Sequence, residues 1–263
     1  MMRRLRRHDG FEVEVRVTSD AFIRPPRESQ RNWAVNRALN EFAEHLRHLD
    51  DVARTWVAGR EHTGLPGRGA SELHDDEIME DWQIPVMKAM AAMVTTAPGD
   101  VLEVGFGRGV SADFIQAGSP RSHTVVECNA SVIERFHAWR AARPHRDIRL
   151  IEGLWQERVE SLGQYDGIFF HTWPLDEDEY AETVVRGVTF AEPFFPVAAA
   201  HLRPGGVFTY LTNEADSLSR AHQRLILRHF GEFRMQVVGP LALPHDSRDD
   251  LWADTMVVLG AIK

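Results

Sequence analysis

The sequence predicts an α/β fold with a mostly parallel sheet of seven strands, wound with helices on both faces and finished by an antiparallel strand. Three observations predict it. From residue 76 onward, strand-like apolar runs alternate with helix-like ones, the pattern of a parallel sheet covered on both sides. The first of those strands runs straight into Gly105, Gly107 and Gly109, glycines at alternate positions. The last two strand candidates are joined by PHDSRDDLWAD, which has no room for a crossover helix, so they pair antiparallel.

Taken in order, residues 28–59 carry Trp33, Leu39, Phe42, Leu46 and Leu49 on one helical face. The stretch EHTGLPGRGA that follows is a loop by its turn chemistry. We therefore expect a helical extension or lid over residues 1–75 and a catalytic domain over 76–263. DEIMEDWQIPVMKAMAAMVTT is helical, with Pro85 starting or kinking its second part. DVLEVGFG is a buried strand, SADFIQAG a helix, HTVVECN a strand and SVIERFHAWRAAR a helix. IRLIEG, YDGIFFHTW, GVFTYLT, EFRMQVVG and TMVVLGAIK are the remaining strands, and RPGG before GVFTYLT is a tight turn.

Composition narrows the partners. At 263 residues and 43% hydrophobic, the chain can bury one substantial core and carry an extension. The 30 Lys and Arg against 39 Asp and Glu give a formal charge of -9, the wrong sign for following a phosphate backbone, so no nucleic-acid partner is expected. The basic start MMRRLRR is followed by the polar HDGFEVEVRVTSD rather than an apolar export segment. No window approaches the roughly 18 to 20 apolar residues of a bilayer span. The single cysteine, Cys128, cannot close an internal disulfide. A cytoplasmic protein that acts away from membranes, holds no metal and can associate with copies of itself is the expectation.

Ligands of open parallel sheets bind beyond the carboxyl ends of the strands, so the informative residues should stand there. Gly105, Gly107 and Gly109, with Phe106 among them, follow the first strand, where missing Cβ atoms admit a ligand to the backbone. The third glycine of a dinucleotide fingerprint is replaced by Val110, which argues against NAD. Glu103 lies inside an apolar strand and needs partners: backbone amides, or the glycine loop and a cationic ligand. Glu127 ends the next strand, where a carboxylate can accept from both ribose hydroxyls of a nucleoside. Trp155, after the third strand, either stacks on a base or belongs to the core.

Together these residues resemble the guanidinoacetate N-methyltransferase family of class I S-adenosylmethionine-dependent methyltransferases, whose core is Rossmann-like. The resemblance runs from about Asp76 to Lys263 through MEDWQIPVM, VLEVGFGRG, VVECN, GLW, YDGIFFHTWPL and LRPGGVFTYLT. It implies S-adenosylmethionine as cofactor. Met79 and the loop from Gly105 to Gly109 would lie against it, Glu127 on the ribose, with Cys128 and Asn129 beside it. Trp155 and Gln156 would stand near the adenine, and His171 and Thr172 near the transferable methyl. Gln156 stands where the family usually has Glu.

The acceptor side departs further. Members that methylate guanidinoacetate clamp its guanidinium between two carboxylates, and Gln83 and His171 occupy those positions here. Each lost charge-assisted hydrogen bond is worth about 1.5 to 3 kcal/mol, which weakens a guanidinium at least about a hundredfold. The expectation is therefore transfer to a nitrogen of a small-molecule acceptor other than guanidinoacetate. O- or C-methylation, or a non-catalytic regulatory subunit that binds the cofactor, stand as alternatives. His171 is the candidate base, its ordinary pKa of about 6.5 leaving much of it neutral, or it is a hydrogen-bonded strand-end residue. Glu214 could receive a cationic part of the acceptor or lie at an exposed helix start. Trp173, Phe194 and Phe195 line the acceptor pocket or fill the core. Asp176 to Glu179 form an acidic run suited to a helix start.

Overall fold

In a computed structural model of the protein, the described residues are 17–18, 72–175, 177–185, 187–215, 217–243 and 252–263. The amphipathic run 28–59 and nearly all of the expected extension lie outside them, as does Asp176.

The strands are β1 (Val17–Thr18), β2 (Asp100–Val104), β3 (Ser122–Glu127), β4 (Ile148–Glu152), β5 (Tyr165–Phe170), β6 (Leu202–Thr212), β7 (Glu232–Val238) and β8 (Met256–Ile262). They form one sheet in the order β1-β7-β8-β6-β5-β2-β3-β4. The expected seven strands are all present, and the two-residue β1 adds an edge by pairing Val17 with Phe233. Pairs from β4 through β6 are parallel, whereas β8 runs antiparallel to both β6 and β7. The order reverses between β2 and β5, whose carboxyl ends form the crevice where such sheets bind ligands.

Five longer helices cover the sheet: α1 (Ile84–Val94), α2 (Val110–Ala117), α3 (Ala130–Ala141), α4 (Phe195–His201) and α5 (Arg220–His229). Pro85 lies in the first turn of α1, where its missing N–H costs nothing, and it splits the expected long helix. What precedes it is a one-turn helix, Asp75–Ile78, and a 3-10 turn, Asp81–Gln83. Val86, Met87, Met90, Ala91 and Val94 recur at helical spacing on the buried face of α1, which packs on β6 and β8. The Asn129 carboxamide caps α3 by accepting from Ser131 N at 2.9 Å and Val132 N at 3.2 Å.

RPGG is not a turn ahead of β6 but part of it. The pairing jumps from Tyr165↔Leu202 to Gly167↔Val207, so Arg203 to Gly206 bulge out of the ladder, with Gly205 at φ +79°. At the same amino-terminal edge of the sheet, Arg203 and Arg121 share the carboxylates of Asp100 and Asp166 at 2.6 to 3.2 Å. That ionic clamp leaves the opposite edge to the site. Among the described residues no helix is long and apolar enough to cross a membrane.

Candidate active site

At the carboxyl edge of β2, β3 and β5 lies a cavity of about 240 Å³, walled by Ile78 to Glu80, Trp82 and Gln83, the loop from Gly105 to Arg108 with the start of α2, Glu127 to Asn129, His171 to Trp173 and Trp252. A smaller space of about 50 Å³ adjoins it, reaching past Glu127 to Gly153, Leu154, Trp155, Gln156 and Glu179. Gly105, Glu127, Cys128, Thr172 and Trp173 belong to both.

The glycines serve the chain's own packing as well as a ligand. Gly105 adopts φ +90°, and a Cβ there would collide with the His171 carbonyl oxygen, so the ends of β2 and β5 could not lie this close. Gly109, at φ +78°, caps the start of α2 and leaves room for the Phe106 ring. Phe106 is buried against Phe136 and Trp139, so its backbone rather than its ring faces the site. The Gly105 N–H donates to Val126 O, Phe106 N–H to Glu127 Oε2 and Gly109 N–H to Phe106 O. These amides are therefore spent inside the protein and offer no phosphate cradle. That suits a nucleoside without phosphates and not a dinucleotide.

Glu127 closes one side of the loop. Its Oε2 takes the Phe106 amide at 3.0 Å and its Oε1 the amides of Cys128 at 2.8 Å and Asn129 at 2.9 Å. A carboxylate has about four acceptor positions, so one remains for a ribose hydroxyl rather than a free pair. Burial, followed by the Glu127 charge, pushes the Cys128 thiol up to about 11, so it is protonated and unreactive. Asn129 lines the cavity, but its carboxamide oxygen is the α3 cap.

Trp155 packs against the core and also borders the smaller space. Its edge packs on Phe194 at 5.0 Å and Phe170 at 6.1 Å. Gln156 is exposed, and its Nε2 donates to Glu179 Oε1 at 3.3 Å, which turns the carbonyl oxygen free for other donors. Met79 is buried in the wall of the larger cavity, and its carbonyl holds the Arg108 guanidinium at 2.8 Å.

The other end is built from rings. Gln83 is buried, and its Oε1 accepts the Glu80 N–H in a capping box, so it has a structural duty besides lining the cavity. His171 lies half-buried at the end of β5, and its ring nitrogens have no hydrogen-bond partner among the described residues. Desolvation holds its pKa down to about 4. His171 is thus neutral at cellular pH, but it is too weak a base for the inflection at pH 6 to 7 that an ordinary histidine would give. Trp252, which the sequence reading passed over, stands against His171 at 6.0 Å and against Trp82 at 5.1 Å.

Two expected site residues lie elsewhere. Glu103 is wholly buried away from the cavity wall, where Ser111 Oγ donates to its Oε1 and His123 Nε2 stands 2.9 Å from its Oε2. Gln116 Nε2 meets His123 Nδ1 at 3.1 Å. The network ties β2 to β3 and α2 beneath the loop. Glu214 lines neither space. Its Oε2 accepts from His222 Nδ1 at 2.7 Å, and His222 Nε2 meets the Tyr210 hydroxyl at 2.7 Å. Burial, the largest single influence, would raise the Glu214 pKa, yet the hydrogen bond and charge of His222 together with the hydrogen bonds from Ser219 outweigh it, and the net shift is downward. Phe194 and Phe195 are fully buried core, whereas Trp173 lines both spaces.

Residues 55–238 match the family described as guanidinoacetate N-methyltransferase. The chain belongs to this family of S-adenosylmethionine-dependent methyltransferases. The protein arginine N-methyltransferase 2 of Eremothecium gossypii is 26% identical over 152 residues, covering 56% of this chain and 35% of the relative. The protein of the same name from Kluyveromyces lactis is 27% identical over 188 residues, covering 65% of this chain and 43% of the relative. The chain thus spans less than half the length of these curated relatives. Among solved structures, the precorrin-6y C5,15-methyltransferase of Geobacter metallireducens aligns with a TM-score of 0.50 at 13% identity, over 76% of this chain and 98% of that one. That likeness bears on the fold alone. The relatives correct one expectation: the acceptor printed in their names is an arginine of a protein, which overturns the small-molecule acceptor read from the sequence.

Proposed function

We propose that the chain is an N-methyltransferase that moves the methyl group of S-adenosylmethionine to a side-chain nitrogen of a protein, and that guanidinoacetate is not its acceptor. Family membership and the names of the relatives support nitrogen and protein. The observation that carries the rest is the uncharged pair Gln83 and His171 at the ring-lined end of the cavity. Of the carboxylates in that lining, Glu127 accepts three backbone amides and keeps a single position, for a ribose hydroxyl, and Glu80 stands at the exposed rim, holding Trp82 Nε1 at 2.6 Å. Among the described residues, no buried carboxylate pair in the lining offers a guanidinium its forked acceptors.

When bound, S-adenosylmethionine supplies an electrophilic methyl group on a sulfonium. In this reading the Gly105–Gly109 loop and Met79 shape its bed, Glu127 takes one ribose hydroxyl, and the Gln156 carbonyl faces the adenine amino group beside Trp155. His171 and Thr172 border the methyl. His171 then orients the acceptor nitrogen through a neutral ring nitrogen, and the protein's main contribution is alignment and exclusion of water. A mass-spectrometric assay with S-adenosylmethionine should find methylated protein or peptide and negligible creatine from guanidinoacetate. Creatine formed at a rate comparable to an authentic family enzyme, or no methylation of any polypeptide, would overturn the reading.

A further inference from the structure

The ring-lined end of the cavity has a shape and charge that select among nitrogens. Trp82 and Trp252 meet nearly at right angles, 88° with centroids 5.1 Å apart. The His171 ring closes a third side at 71° to Trp252. Gln83 lines the same end, and all four line the 240 Å³ cavity. Trp252 is only 7% exposed, so its position is set by packing rather than by solvent. Trp82 donates its indole N–H to the Glu80 carboxylate, which leaves its π face more electron-rich. The guanidinium in the lining, Arg108, is neutralised by Asp81 at 2.9 Å and by Met79 O, so it does not repel a second cation.

Flat π faces with a single carboxylate at the rim suit one kind of cation. A guanidinium also stacks on such faces, but its five N–H donors lie in its own plane and need acceptors at fork spacing, which Gln83, His171 and the lone Glu80 at the rim do not supply. An alkylammonium spreads its charge over a sphere and is held by the negative faces of indoles, more so as methyl groups displace its hydration. We propose that Trp82 and Trp252, with His171, form an aromatic corner that receives a lysine-like alkylamine as the methyl acceptor. The inference rests on the protein-methyltransferase reading for the source of that amine. The amine reacts as its neutral form, its proton left in solvent. Its lone pair forms the new N–CH3 bond while the S–CH3 bond breaks with both electrons going to sulfur, leaving a thioether and a methylammonium. Positive charge appears on nitrogen as the bond forms, so faces that bind the cation better than the neutral amine favour the transition state over the ground state.

The test uses the full chain saturated with S-adenosylhomocysteine and, by calorimetry, n-butyltrimethylammonium against n-butylguanidinium. The ammonium should bind at least tenfold more tightly. Trp252→Ala and Trp82→Ala should each weaken it about five- to thirtyfold, as expected for a desolvated cation–π contact. Trp252→Phe, which keeps a π face, should retain most of the binding and guards against a misfolded alanine variant. Equal or tighter binding of the guanidinium, or indifference to both Trp252 substitutions, overturns the aromatic corner. Peptides identical but for a central Lys or Arg, given S-adenosylmethionine, separate the two readings. Methylation of the Lys peptide supports both. Methylation of the Arg peptide alone overturns the corner and leaves the protein acceptor standing. If neither is methylated while the butyl cation still binds through Trp252, the protein acceptor falls and the corner stands.

Discussion

The two ends of the cavity are made of different materials. At the glycine-loop end the working atoms are main-chain groups at the ends of β2 and β3, locked by Glu127 and supported from below by Glu103, Ser111 and His123. At the indole end they are side chains from three separate stretches, Trp82 and Gln83 before α1, His171 after β5 and Trp252 before β8. The difference separates two kinds of specificity. A main-chain bed fixes what the fold as a whole can bind, whereas a wall of side chains can be exchanged without disturbing the sheet.

If that contrast holds, damage at the loop should spread to the whole domain. Gly105→Ala adds a Cβ against the His171 carbonyl at a φ of +90°. Strain of about 1 to 3 kcal/mol and overpacking of about 1 to 3 kcal/mol together predict a destabilisation of about 2 to 6 kcal/mol. Denaturant unfolding that finds the variant as stable as the wild type would show that the loop is looser than its contacts imply.

At the indole end the effects should be local. His171 has a folded pKa of about 4, below its ordinary value. The unfolded chain therefore takes up the proton first, and stability that is whole above about pH 6.5 is lost as pH falls toward 4, by up to about 3 kcal/mol. His171→Asn should remove that part of the acid sensitivity. Unfolding midpoints compared between pH 7 and pH 4 check it, and an unchanged acid slope would mean that His171 is not desolvated.

The smallest effect belongs to Gln156. Gln156→Glu places a second carboxylate beside Glu179, at an exposed site where such pairs are worth about 0.2 to 1 kcal/mol. S-adenosylhomocysteine should bind up to about fivefold more weakly, as calorimetry would read. Tighter binding would show that adenine prefers the charged acceptor the family usually carries.

The same contrast explains what the sequence disclosed. The alternation of strands and helices, the antiparallel last strand and the loop after β2 follow from local patterning, because apolar runs, glycines and short connections are written in adjacent residues, whereas the order of the strands across the sheet is not. Glu127 at the end of β3 follows from the same rules. Glu103 was legible as a polar residue in need of partners but not as to which, and Glu214, read as facing the acceptor or as an exposed helix start, is neither. His123 sits on the neighbouring strand and His222 on α5, and only the assembled sheet brings them within 2.9 Å and 2.7 Å. Trp252 was missed because it follows a polar, aperiodic segment. A large aromatic residue in such company was the available signal, and Trp82, next to Gln83 in MEDWQIPVM, was another. The pKa of His171 was beyond reach as well, since desolvation depends on what packs around the ring.

Calorimetric titration with S-adenosylhomocysteine of the wild type, Glu127→Gln and His171→Asn tests the division of the cavity most directly. The wild type should bind at micromolar concentration. Glu127→Gln, which sets an amide against three backbone donors, should bind roughly 10- to 100-fold more weakly, since hydrogen bonds to a charged group are worth about 1.5 to 3 kcal/mol. His171→Asn should stay within about twofold of the wild type, one RT or less in free energy. Undiminished affinity in Glu127→Gln, or a loss in His171→Asn as large as that in Glu127→Gln, would contradict the account.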